Sequence, residues 1–208
     1  EVDKNVKTDV AVLGDAKESL HALCQHLKSN RHDAWLERFR ALEFQEYTEV
    51  IEPETNPKEG VLTMGEVIRA VNDQTQGKAI VVTDVGQHQM VSCRYAKFKK
   101  SRSMITSGGL GTMGFCLPAA IGAKFALPQR EVIAVIGDGG FQMTIQELGT
   151  IFQSKIPVKI IVLNNEFLGM VRQWQELFFD KRYASTRMAV SYTHLRAHET
   201  RGNIVCRL

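Results

Sequence analysis

The sequence predicts an α/β protein built on a doubly wound parallel sheet, cut short at its carboxyl end and preceded by the end of a second α/β domain. Three apolar runs, at 79–83, 132–136 and 158–163, lack polar alternation, which is the pattern of strands buried on both faces. Helical segments lie between them, so successive strands run parallel beneath crossover helices. Each run ends in a polar, glycine-bearing loop, at 84–89, 137–141 and 164–169. Ligands of such sheets gather at these carboxyl ends.

In chain order, the short apolar run at 10–13 reads as a buried strand ending at Gly14-Asp15. Helical spacing follows from Ala16, with Leu20, Leu23, Cys24 and Leu27 on one stripe. Together they form the expected end of a second α/β domain over 1–29. Residues 30–60 form a linker with one exposed, charge-rich helix, its narrow stripe made by Trp35, Leu36, Phe39 and Leu42. Pro53 and Pro57 are expected to break any helix there. The main domain spans 61–189. Thr63 caps a helix running to about Thr75, with Glu66 at capping-box spacing and Val67, Ile68 and Val71 facing inward. Further helices are expected near 116–126 and 143–154.

Composition narrows the function classes. The chain has 208 residues, 44% hydrophobic and 24% charged, ordinary for a globular protein with a buried core. With 26 Lys+Arg against 23 Asp+Glu, and only a short basic cluster at Lys97, Lys99, Lys100 and Arg102, it lacks a nucleic-acid footprint. No apolar run reaches bilayer-spanning length, so no membrane partner is expected. Cys24, Cys93, Cys116 and Cys206 form no CxxC pair, which points to a reducing compartment, the cytoplasm. The start lacks an initiator Met and any signal-peptide pattern, so the chain is expected to begin inside a longer protein.

The chemistry lies in the loops. Gly137-Asp138-Gly139-Gly140 ends one strand and Asn164-Asn165 ends the next, with twenty-four residues between Gly139 and Asn164. An Asp and an Asn on adjacent strand tips offer hard oxygen ligands, and Mg²⁺ commonly takes one or two such ligands together with phosphate oxygens and water. The glycines let backbone N–H groups approach a phosphate, and a helix starting near Phe141 would point its positive end there. A tight turn with a capping Asp explains Gly137 to Gly140 alone; the pair of tips resembles the thiamine-diphosphate signature.

The likeness extends beyond that signature. Thr83-Asp84-Val85-Gly86-Gln87-His88-Gln89-Met90, Ser107-Gly108-Gly109-Leu110-Gly111-Thr112-Met113-Gly114 and Gly169-Met170-Val171-Arg172-Gln173-Trp174-Gln175 resemble the catalytic subunits of the acetohydroxyacid synthase (acetolactate synthase) family, over roughly residues 4–188. The resemblance implies thiamine-diphosphate-dependent condensation of two pyruvates to acetolactate, or of pyruvate with 2-oxobutyrate to acetohydroxybutyrate. CO₂ is released, and the products feed branched-chain amino-acid synthesis. It implies Mg²⁺ on Asp138, Asn165 and the Phe167 carbonyl. Val85, Gly86, Gln87, His88, Gly139, Gly140, Leu168 and Gly169 would line the diphosphate. Gly111 would accept from the aminopyrimidine, Met113 would support the bent cofactor, and Met170 and Trp174 would shape the pocket for the second ketoacid. Asp15 and Ala16 would contact FAD in the parent protein. Each residue has a plain alternative: His88 as a capping or solvent-facing residue, Met113 and Trp174 as core, Asp15-Ala16 as an ordinary helix start. Pyruvate oxidase or glyoxylate carboligase types, or an inactive truncated reading frame, are the competing functions.

The family's catalytic Glu belongs to the amino-terminal domain of a partner subunit, which implies a homo-oligomer with a shared site, and a regulatory small subunit is a further implied partner. Neither Glu147 nor Glu166 is expected to replace that Glu, so this chain is expected not to turn over by itself. The resemblance stops near Met188, and 190–208 looks like a non-native, adapter-encoded tail. His194 and His198 there have the i, i+4 spacing of helical zinc ligands, but no zinc site is expected. Without the family's later strands, the sheet is expected to have an unprotected edge and the chain to be poorly soluble or to need partner chains.

Overall fold

A computed structural model describes residues 2–60 and 62–188, and the backbone of 204–207. His194, His198 and most of the tail lie outside the described residues. The chain divides into two compact units, Glu1–Gln45 and Glu46–Leu208.

In the first unit, helix α1 (Ala16–His26) is capped by Asp15, whose carboxylate accepts from the Lys17 and Glu18 N–H groups. The strand expected at 10–13 does not form, and Val10, Val12 and Leu13 are exposed. A strand exists only beside another strand, and no described residue pairs with this segment. Helix α2 (Asp33–Glu46) is exposed throughout, with Trp35 and Phe39 in edge-to-face contact at 4.5 Å.

The second unit corrects the expectation for Pro53. A π-helical turn, Tyr47–Ile51, leads directly into α3 (Glu52–Thr55), and Pro53 sits in the first turn of that helix. The Tyr47 carbonyl accepts from the Glu52 N–H, five residues on. Widening the helix there puts Pro53 at a helix start, where its missing N–H is tolerated.

Helix α4 (Met64–Thr75) starts where its cap predicts: Thr63 Oγ1 accepts from the Glu66 N–H at 3.2 Å, and Val67, Ile68 and Val71 are buried. Thr63→Ala is expected to lower stability by about 1 kcal/mol, read as a shift in the urea midpoint.

The sheet is all parallel, in the order β2 (Met104–Ile105), β1 (Ile80–Thr83), β3 (Val132–Gly137), β4 (Lys159–Asn164), β5 (Ile204–Arg207). The backbone of β5 pairs along β4, so β5 rather than β4 is the outer strand on that side of the sheet. Two further helices were not foreseen, α5 (Gln87–Tyr95) and α9 (Gly169–Phe178), nor was the two-residue β2. Helix α6 (Cys116–Ala126) matches its pattern. The helix expected over 143–154 is instead α7 (Asp138–Met143) and α8 (Glu147–Ser154). Thr144 interrupts it, since its hydroxyl bonds the Gly114 carbonyl at 3.1 Å and its backbone leaves the helical region.

Alternate strand residues feed two cores. Ile80, Val82, Val132, Ala134, Ile136, Ile160 and Val162 pack under α6 and α8. Val81, Ile133, Val135 and Leu163 pack under α4 and α5 on the opposite face. The chain winds outward from β1 to β2, then returns past β1 to β3. The topological switch point therefore lies between the tips of β1 and β3.

Candidate cofactor-binding site

At that switch point a cavity of about 40 Å³ opens. Its lining includes Val85, Gly86, Gln87 and His88 after β1; Asp138, Gly139 and Gly140 after β3; Asn165, Phe167, Leu168 and Gly169 after β4; and Met113. Twelve of the residues singled out from the sequence thus meet at one place. Gly111 stands just outside, at φ +63° and next to Val85. Met170 and Trp174 lie on α9 and do not line this cavity, and Trp174 is 58% exposed with its ring against Phe178. Asp15 and Ala16 belong to the first unit, at the start of α1.

The carboxylate of Asp138 is buried, and the backbone N–H groups of Gly139 and Glu166 donate to it. Burial pushes its pKa up, more than those hydrogen bonds pull it down. A cation beside it would reverse that balance. After β4, Asn164 accepts from the Glu166 N–H at 3.0 Å and Asn165 from the Phe167 N–H at 3.1 Å. These two turns carry Glu166 through φ +61°. Each amide oxygen keeps a second lone pair, so Asn165 remains able to face a metal. Among the described residues no group of three or more His, Cys, Asp or Glu converges. An ion here would therefore draw on one carboxylate, an amide, a carbonyl and ligand oxygens, the donor set of Mg²⁺ rather than of a soft metal.

The glycines form a cradle. A side chain on Gly169 would strike the Gln87 amide, and one on Gly139 would meet the sulfur of Met188 at 2.9 Å and Leu168 at 3.1 Å. Met188 is the flexible one of these neighbours, so an approaching phosphate has a movable group to displace. The donor set and the bare glycine backbone fit a Mg²⁺-diphosphate.

A family model for the thiamine pyrophosphate enzyme C-terminal TPP-binding domain matches residues 84–199, more than half of the chain. The chain belongs to the thiamine pyrophosphate enzyme family. Within that family it is similar to acetolactate synthase large subunits. The protein of Lactococcus lactis is 45% identical over 185 residues, which cover 88% of this chain and 31% of the relative. The isozyme 3 large subunit of Escherichia coli is 38% identical, covering 98% of this chain and 36% of the relative. The protein of Parasynechococcus marenigrum is 45% identical, covering 90% and 30%. The chain thus spans about a third of the length of these relatives. No helix among the described residues is long and apolar enough to cross a membrane.

Two residues of this thiamine pyrophosphate domain gain a meaning that sequence did not supply. Asp84, the residue after β1, is fully buried, and the N–H groups of Gly114 and Phe115 donate to it at 3.1 and 3.0 Å. It anchors the start of α6 and the loop carrying Met113. His88 is buried, with its ring against Gly86 and Gly137, where added Cβ atoms would fall 2.8 and 3.0 Å from Cε1. Its Nε2 has no hydrogen-bond partner among the described residues, and burial lowers its pKa from 6.5 to about 4. Glu147 and Glu166 do not line the cavity; Glu147 accepts from Thr150 and Glu166 is exposed.

The His88 shift has a definite sign. Its folded pKa lies below the unfolded value, so between pH 6.5 and about 4 the unfolded chain takes up a proton that the folded chain refuses. The contribution is complete above the unfolded pKa, and roughly 3 kcal/mol is lost as pH falls to the folded one. Asp84 and Asp138, with raised values, act in the opposite sense. Comparison of urea midpoints at neutral and acidic pH with those of His88→Gln isolates the histidine: the variant should lose less stability on acidification.

Proposed function

We propose that this chain forms the cofactor-binding part of an acetolactate synthase, which condenses two pyruvates, or pyruvate with 2-oxobutyrate, with loss of CO₂. The observation that carries the reading is the meeting of Asp138 and Asn165, from neighbouring strand tips, in one cavity with Met113 and the glycines. Similarity to proteins named acetolactate synthase large subunit supports the choice of reaction. Thiamine diphosphate, when bound, supplies the electron sink for decarboxylating a 2-oxo acid.

The chain's own residues bind and orient. Asp138, Asn165 and the carbonyl of Phe167 would hold Mg²⁺. Val85, Gly86, Gln87, His88, Gly139, Gly140, Leu168 and Gly169 would line the diphosphate, and Met113 would press on the cofactor from below. Gly111 would accept from the pyrimidine amino group, while Met170 and Trp174 would shape the acceptor pocket. The complete protein, in this reading, is a cytoplasmic homo-oligomer with its site shared between subunits, served by a regulatory subunit, and carries FAD near Asp15 and Ala16. Residues 1–29, 30–60 and 61–189 are then the end of the flavin domain, a linker and the thiamine domain, and 190–208 a non-native tail.

The test is product identity. The longer protein, given pyruvate, thiamine diphosphate and Mg²⁺, should form acetolactate, with acetohydroxybutyrate added when 2-oxobutyrate is present. Oxidation of pyruvate without carbon–carbon bond formation, or carboligation of glyoxylate in its place, would overturn the assignment.

A further inference from the structure

The loop after β4 is held from two sides. Beneath it are the amides of Asn164 and Asn165. Across it runs the segment 183–188: Phe167 and Arg187 form an antiparallel bridge, the Leu168 N–H donates to the Thr186 carbonyl at 2.8 Å, and the Met188 N–H donates to the Glu166 carbonyl at 2.8 Å. That segment is tied in turn to α9. The Gln175 side chain donates to the Ala184 carbonyl and accepts from the Ala184 N–H, both at 3.1 Å. Arg172, one turn earlier on the same helix face, places its guanidinium carbon 3.9 Å from the centre of the Phe167 ring and 4.7 Å from that of Tyr183. One ring belongs to the loop after β4, the other to the segment across it.

We propose that Arg172 is a positioning residue for the metal ion: stacked between Phe167 and Tyr183, it fixes the main chain of Phe167, and so the carbonyl assigned to Mg²⁺. This rests on the function proposed above. A guanidinium is flat and delocalised, and it stacks on aromatic faces in a way that an ammonium does not reproduce. The role therefore depends on shape as well as charge. Groups that hold a metal's direct ligands in place alter its affinity about 10- to 100-fold.

The experiment is a Mg²⁺ titration at fixed thiamine diphosphate, followed by tryptophan fluorescence, and a thiamine diphosphate titration at saturating Mg²⁺. The proteins are the parent, Arg172→Ala, Arg172→Lys, Tyr183→Ala, Tyr183→Phe and Asp138→Ala, with circular dichroism melts to compare folding. Both Arg172 variants and Tyr183→Ala should need about tenfold more Mg²⁺. Their affinity for thiamine diphosphate at saturating Mg²⁺ should match the parent, and Tyr183→Phe, which keeps the ring, should behave as the parent throughout. If Arg172→Lys restores the Mg²⁺ requirement fully, the residue acts as a charge and the proposal falls. It falls equally if Arg172→Ala and Tyr183→Ala leave that requirement unchanged. A parent with no Mg²⁺-dependent binding, or an Asp138→Ala variant that binds normally, defeats the underlying reading instead.

Discussion

Asp138→Ala should remove Mg²⁺-dependent binding of thiamine diphosphate, by more than about 100-fold in affinity, because a residue proposed as a direct ligand outweighs the 10- to 100-fold effects of outer residues. The carboxylate is buried at the end of β3, where a negative charge is costly. Burial already holds its pKa above the usual carboxylate value. Removing it therefore weakens the folded chain without ligand far less than it weakens the loaded one. The signature is a variant whose melting temperature without cofactor matches the parent, and which gains no further stability when cofactor and Mg²⁺ are added, although the parent does. Isothermal titration gives the affinity directly. Parent-like affinity in the variant would remove the metal from Asp138.

The second large effect concerns Asp84 and Gly140, which act as one unit. A Cβ on Gly140 would fall on Oδ2 of Asp84, so Gly140→Ala must expel that carboxylate. Asp84→Ala removes it outright. Either change leaves the Gly114 and Phe115 N–H groups at the start of α6 without their acceptor. Together with the lost favourable charge at the amino end of that eleven-residue helix, each should cost about 3 kcal/mol. Because both act by displacing the same group, the double variant should cost little more than Asp84→Ala alone. Urea denaturation of the four proteins measures this coupling, and strictly additive losses would show that the two residues are independent.

Legibility from sequence followed burial. The strands β1, β3 and β4 announced themselves because a strand covered on both faces has no polar position to break its apolar run. The start of α4 was visible through Thr63 and Glu66, whose capping is local. What escaped depends on distant partners. The run at 10–13 has the composition of a strand but no neighbour to pair with. Helix α5 begins with Gln87, His88 and Gln89, polar residues that resemble loop until His88 is seen folded inward.

The site divides in the same way. Asp138, Asn165 and the glycines carry a recognisable spacing, and the sheet brings them together at one point. Asp84 sat inside a quoted stretch but was not singled out, since only its complete burial and its two backbone donors show what it holds. The role of Arg172 depends on Tyr183, eleven residues away beyond the end of α9, and no periodicity links them. Trp174, conspicuous in sequence, points to a surface of this chain rather than into the cavity.

The reversal in strand order has one more consequence. Where the connections leaving β1 and β3 depart toward opposite sides, a gap opens between the tips. It is crossed by the imidazole of His88 leaning on two glycines, and by the Gln87 amide reaching toward Asn165 and Gln173 at 3.4 Å. Side chains carried after β1, rather than strand backbone, therefore form part of the wall a ligand would meet there.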